Sequence, residues 1–286
     1  MDGAIDAIPW PLAVFLFGLI IGSFLNVVIL RLPARMEWAW RRQAREVLEL
    51  PEDESETAPP GIVVRGSHCP SCSAAIKPWH NIPLIGFIIL RGRCASCRMS
   101  ISWQYPLVEL LTGLLFLGCL WRFGVTPEAA WAMFFSAVLM AGAGIDFRTQ
   151  LLPDSLTLPL LWLGLLLNCS AMFVPLQDAV YGAAAGYLSL WSVFWLFKLI
   201  TGKEGMGYGD FKLLGALGAW MGWQSLLGIV LLSSVVGAVL GGAILMLKGK
   251  DRNVPIPFGP FLAAAGWLML IIGPQLAAWQ PIFSLR

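Results

Sequence analysis

Apolar residues in this chain come in long blocks with short polar breaks, neither the alternation of strands nor the one-sided stripe of a surface helix. The first block, residues 10–30, is long enough to cross a bilayer, which takes about 20 apolar residues. Seven more blocks read as spans, at 106–122, 128–146, 155–175, 177–200, 210–224, 226–247 and 261–280. The sixth span, 210–224, is the weakest, being short and holding three glycines. The run 82–90 is too short to cross and reads as a packed or interfacial piece. The pattern predicts an all-α polytopic membrane protein of about eight transmembrane helices. One sizeable extramembrane region, 31–105, lies between helices 1 and 2.

Composition narrows the class further. Of 286 residues 58% are hydrophobic and 13% charged, against about 45–50% and about 25% in soluble domains. That excludes an ordinary soluble enzyme, a disordered chain and a small disulfide scaffold. A net charge of +2 gives no reason to expect a nucleic-acid partner. The N-terminal MDGAID lacks the basic start of a removable signal, so 10–30 is expected to stay as the first membrane helix. With the N-terminus outside, the inside segments 31–105, 146–154, 198–212 and 248–260 hold 17 of the 19 Lys and Arg. Only Arg122 and Arg286 fall outside. Long loops count for less under this rule, and dropping 31–105 still leaves 7 against 2.

The chain therefore divides into a first transmembrane helix (1–30), a cytoplasmic domain (31–105) and a membrane bundle (106–286). Residues 41–60 run basic and then acidic (Glu52, Asp53, Glu54, Glu56), as a solvated helix followed by a linker. Beyond them stand Cys69 and Cys72 in CPSC, and Cys94 and Cys97 in CASC. Two such knuckles, 21 residues apart, supply the four thiolates of a tetrahedral zinc site. A redox dithiol and idle cysteines are the competing readings, and His68 could replace a thiol although four cysteines already satisfy the ion. His80 reads as structural, and Cys119 and Cys169 as packing residues within spans. A four-cysteine site has no open position for substrate. Its zinc is expected to stabilise a small domain, so the chemistry lies elsewhere.

Ionisable residues at membrane depth are costly and point to function. Four qualify: Glu109 early in the second span, Asp146 ending the third, Asp154 and Asp210. Asp154 follows Pro153 and is expected to cap the fourth span. Asp146 and Asp210 are 64 residues apart, yet the topology puts both at cytoplasmic helix ends. Two close carboxylates share a proton, so one activates water while the other protonates the leaving group. Gly205, Gly207 and Gly209 leave room for an extended peptide. A proton-coupled transporter using intramembrane carboxylates is the alternative on these grounds, although no convincing internal repeat supports it.

The stretch GYGDFKLLGALGAW (207–220) resembles the GxGD signature of bacterial type IV prepilin peptidases. IDFRTQLLPD (145–154) with SLTLPLLW (155–162) is similar to that family's first aspartate motif. GSFLNVVILRLP (22–33), NIP (81–83), LRGRC (90–94) and PFGPF (257–261) extend the resemblance from about residue 18 to 265. It implies cleavage of prepilins and pseudopilins at the cytoplasmic face of the bacterial inner membrane, after a short basic leader. It further implies methylation of the new N-terminus from S-adenosylmethionine. Carried over, the catalytic aspartates are Asp146 and Asp210, supported by Gly207, Gly209, Lys212 and Asp154. The zinc ligands are Cys69, Cys72, Cys94 and Cys97, and the N-terminus is periplasmic. No Rossmann-like turn is present. The candidates for holding the methyl donor are Gly22, Asn26 and Glu109, with close helix packing as the competing reading for Gly22 and Gly113.

Overall fold

The computed structural model describes residues 9–51, 57–63, 66–248 and 257–277. The acidic run Glu52, Asp53, Glu54 and Glu56, the MDGAID start, and Arg65, Lys250, Arg252 and Arg286 lie outside the described residues. The chain forms two compact units, residues 1–125 and 126–286. No strand occurs among the described residues, only two isolated β-bridges.

The first unit begins with α1 (Trp10–Val47), which does not stop at the membrane boundary near residue 30. It continues for 38 residues, about 57 Å at 1.5 Å per residue. The extension is rich in Arg, Ala and Glu, all strong helix formers, and gains a Glu37–Arg41 pair one turn apart. Here α3 (Gln104–Phe123) packs against α1 along small residues. A Cβ added at Gly18 would lie 2.7 Å from the Gly113 Cα, and one at Gly22 would lie 2.7 Å from the Glu109 Cα. This four-residue glycine spacing lets membrane helices approach to backbone contact where hydrophobicity no longer drives them together. Between the helices lie the cysteine module, a 3-10 turn (Pro78–Asn81) and the five-residue α2 (Ile85–Ile89). The packing thus places α3 with α1, across the membrane–water division drawn at 31 and 105.

In the second unit α4 (Pro127–Thr149) starts at Thr126, whose side chain accepts the Ala129 N–H, with Pro127 preset for the first turn. It is followed by α5 (Asp154–Asn168), α6 (Leu176–Thr201), α7 (Tyr208–Met221), α8 (Leu226–Lys248) and α9 (Gly259–Ala277). Eight helices thus stand at the eight expected spans, and among the described residues five stretches are long and apolar enough to cross: α1, α3, α4, α6 and Trp223–Leu240. The suspect sixth span exists as α7, but with 14 residues it is only about 21 Å long. Protein surrounds it: α5, α6 and α9 pack on it, and Phe211, Leu214 and Leu217 are fully buried.

Glycines make that burial possible. A Cβ at Gly218 would collide with the Gly182 carbonyl of α6, and one at Gly186 would come 2.6 Å from the Leu214 oxygen. Trp220 fills the floor, stacking on Phe135 at 4.7 Å and donating its indole N–H to the Leu160 carbonyl at 2.8 Å. The fourth span ends earlier than the expected residue 175 because Asn168 stops it. Its Oδ1 accepts the N–H groups of Phe173 and Val174, and its Nδ2 donates to the Ala219 carbonyl at 2.9 Å. Cys169, expected to pack inside the span, is the exposed C-cap instead, whereas Cys119 is buried as expected.

Candidate functional site

Asp146 lies in the last turn of α4 and Asp210 in the first turn of α7. Both are almost wholly buried, 5% and 6% exposed, and are close enough for one carboxylate to feel the other's charge. The structure therefore brings together two acids from motifs 64 residues apart.

A single loop side chain spans the gap between their supports. After α4, Gln150 takes a left-handed conformation and donates its N–H to the Asp146 carbonyl, turning the chain towards Leu152. The Leu152 Cβ lies 2.6 Å from where a Cβ on Gly209 would stand. Its Cδ1 lies 3.0 Å from the corresponding point on Gly259, and its Cδ2 lies 3.4 Å from that on Gly142. Gly259 in turn donates its N–H to Asp146 Oδ2 at 3.0 Å, while Gly209 immediately precedes Asp210. Leu152 is thus a spacer between the residue before one aspartate and the residue holding the other. A side chain at 209 would displace it, and one at 259 would meet first the Asp146 carboxylate, at 2.7 Å, and then Leu152. Gly207, by contrast, is the N-cap of α7 in an extended conformation open to any residue, and a Cβ there would come no closer than 3.9 Å, to Asp210 Oδ2.

Two supporting residues stand differently from expectation. Asp154 does not cap α5: it is the first helical residue, Pro153 occupies the cap, and no side-chain cap bond forms. Its carboxylate instead accepts both short hydrogen bonds of the Lys212 ammonium, at 2.6 and 2.7 Å. Lys212 consequently serves Asp154 and not Asp210. Residues two apart on a helix point to opposite sides, so closeness in sequence does not bring Lys212 to its neighbour. The glycine turn before Asp210 is closed by Lys198 and Glu204 at 2.8 Å and by Phe197 against Gly205. Phe194, Tyr208 and Phe211 stack with ring centroids 5.2 to 5.5 Å apart and join α6 to α7 there.

The four expected metal ligands also converge, in the first unit. The sulfurs of Cys69, Cys72, Cys94 and Cys97 all lie within 4.8 Å of one another. Cys69 and Cys97 sulfurs are 3.7 Å apart, matching the edge of about 3.8 Å in a tetrahedron with metal–sulfur bonds of about 2.3 Å. The two knuckles are built alike. Ser73 and Arg98 both have positive φ, Cys69 and Cys94 donate to the carbonyls five residues on, and bridges His68–Ala75 and Arg93–Ser100 close each loop. Backbone N–H groups of Cys72 and Ser71 point at the Cys69 sulfur and hold its thiol down to about 6. Those of Cys97 and Ser96 lower the Cys94 thiol likewise. The module is compatible with a metal ion. His68 turns away, with Nδ1 2.7 Å from the Gly66 carbonyl, leaving the four thiols as the ligand set.

Gly22, Asn26 and Glu109 meet at the α1–α3 seam. Asn26 donates to the carbonyls of Gly22 and Tyr105 at 3.3 and 3.1 Å and accepts from Gln104. Glu109 accepts the Leu84 N–H at 2.8 Å and engages the Ser23 hydroxyl. Leu84 has φ 58°, a backbone state that costs a branched side chain, and this carboxylate helps to hold it. All three also hold the unit together, Asn26 and Glu109 by hydrogen bonds to the main chain and Gly22 by close helix packing.

Comparison with known proteins divides the chain at the same place as the packing. The Bacterial Peptidase A24 N-terminal domain matches residues 16–123, and the Type IV leader peptidase family matches residues 133–242. A Prepilin leader peptidase/N-methyltransferase of Xanthomonas campestris pv. campestris is 58% identical over 259 residues, 91% of this chain and 90% of that protein. Its namesake in Stutzerimonas stutzeri is 53% identical over 275 residues, 96% and 95% of the two chains. That of Pseudomonas aeruginosa is 54% identical over 265 residues, 93% and 91%. No solved structure matches. On two matching domains and identities above half across more than nine-tenths of its length, the chain belongs to the type IV leader peptidase family.

Proposed function

We propose that the chain is a bifunctional membrane enzyme of the bacterial inner membrane. It cleaves the leader from type IV prepilins and pseudopilins at the cytoplasmic face, then N-methylates the residue exposed by the cut. The observation that carries the peptidase half is the convergence of buried Asp146 and Asp210 on either side of the Leu152 spacer. One carboxylate takes a proton from water as it attacks the scissile carbonyl, and the other polarises that carbonyl and protonates the departing amine. Gly207 leaves the mouth of the site open to extended main chain. The Asp154–Lys212 pair ties the start of α5 to the start of α7. Relatives covering nine-tenths of the chain bear enzyme names, so the transporter alternative is not favoured.

In the first unit, Cys69, Cys72, Cys94 and Cys97 are the residues that would hold zinc. A closed thiolate site supplies folding energy to a module with little core of its own. The predominance of cations in the inside segments supports a periplasmic N-terminus, with the cysteine module and aspartates cytoplasmic. S-adenosylmethionine is the methyl donor implied by the family. Gly22, Asn26 and Glu109 meet at the α1–α3 seam, where they hold the frame of this unit and remain the candidates for the donor's site.

The deciding experiment incubates the purified protein with a prepilin and locates the cut by mass spectrometry. Asp146→Asn and Asp210→Asn should each abolish cleavage while methylation of an already cut pilin persists. Cleavage surviving either substitution would end this assignment.

A further inference from the structure

Ile85, Ile88 and Ile89 occupy positions i, i+3 and i+4 of α2 and form one apolar face, exposed to 52%, 70% and 63%. The other side of α2 is turned into its own module. Gly86 lies against the His80 carbonyl, and Phe87 packs on Gly92 and on the Trp103 ring at 4.9 Å. Three adjacent isoleucines facing water are unfavourable in so small a module.

Their depth is set by two ties to α3. The Leu84 N–H donates to Glu109, and Phe87 stacks on Trp103, which immediately precedes α3. Glu109 stands five residues beyond Gln104, the start of that helix, so it lies roughly 7 Å along the axis. Trp103 and Tyr105 mark this end of α3 with the aromatic residues that gather at membrane–water interfaces. The isoleucine face is thus held level with the first turns of a membrane-crossing helix. Exposed Lys77, Arg91 and Arg93 flank the segment on both sides.

We propose that α2 is an interfacial anchor. Its Ile85, Ile88 and Ile89 face enters the acyl boundary of the bilayer beside α3, while Lys77, Arg91 and Arg93 sit among lipid phosphates. Such a segment seats the cysteine module at a set height on the membrane, with Glu109 as the latch that fixes the height. The inference rests on the membrane reading of α3 and is independent of the peptidase chemistry.

The test places the photo-crosslinking residue p-benzoylphenylalanine at position 88 of the full chain, in vesicles of phosphatidylethanolamine and phosphatidylglycerol. After irradiation, adducts are identified by mass spectrometry. Leu114, exposed on α3, serves as the lipid-facing reference, and Ser96, on the second knuckle, as the water-facing one. Phospholipid adducts at 88 should come within about twofold of those at 114 and exceed those at 96 by at least about tenfold, as expected for a buried apolar face. A yield at 88 equal to that at 96 overturns the proposal. So do adducts at 88 formed only with residues 126–286 or with an added prepilin, since either means that protein covers the face. Retained prepilin cleavage shows that the labelled chain is folded. If cleavage is lost, the label is moved to Ile85, for which the same outcomes decide.

Discussion

In the proposed mechanism Asp146 and Asp210 act as a unit, and either one alone lacks its partner in proton transfer. Asp146→Asn or Asp210→Asn is expected to lower cleavage by at least about 10³-fold, within the range that positioned acids and bases contribute. Product formation under single-turnover conditions measures it. Lys212→Met should behave very differently. The ammonium faces Asp154, which is half exposed, and such pairs contribute about 0–1 kcal/mol. The substitution should leave both limbs of the pH–rate profile of cleavage in place and shift the unfolding midpoint only slightly. Movement of either limb would mean that Lys212 reaches the catalytic pair. The acids and thiols were legible in the sequence because a charge inside an apolar block, or a doubled CxxC, is improbable without a purpose. Leu152 was not, since a leucine in a membrane protein carries no local signal of what it wedges apart.

At the scale of elements, small residues decide which helices meet and how closely. On α7, Gly209→Ala puts a methyl 2.6 Å from the Leu152 Cβ, an overpacking of about 1–3 kcal/mol immediately before a catalytic residue. Cleavage should fall at least about tenfold, in kcat more than in KM, because the displaced group is one the transition state needs. Adding Leu152→Gly should recover part of the loss. Gly142→Ala is the control, because its methyl finds Leu152 at an ordinary 3.4 Å and should be tolerated. On α1, Gly22→Leu would force the helix off the Glu109 backbone and should separate α1 from α3, read as increased protease sensitivity of the first unit. Hydropathy marked nearly all of these helices but misjudged two ends. α1 runs on to Val47 because its polar continuation is itself helix-forming, and α5 stops at Asn168 because a side chain caps the turn beyond. α7 is shorter than a span because protein, not lipid, surrounds it.

At the scale of the whole molecule, the thiol cluster belongs to the first unit and the acid pair to the second, and their sensitivities should separate as well. Chelation of the purified protein, or Cys69→Ser with Cys94→Ser, should unfold the cysteine module, because a four-thiolate site holds a domain of this size together. Elemental analysis should find about one zinc per chain, the content of one tetrahedral site. Active protein free of metal would contradict this. Class, the order of the helices and the clustering of the four thiols followed from the sequence alone. Each depends on residue type and spacing, which transfer cost and ligand chemistry read locally. What only the tertiary structure decided is which residues stand across from one another. Asp154 leaves its cap for Lys212, Leu152 sets two glycines apart, and Asn168 joins α5 to α7. Glu109 reaches back 25 residues to hold Leu84. These pairings depend on how helices pack, and packing is settled by the complementarity of whole surfaces, which no single stretch of sequence contains.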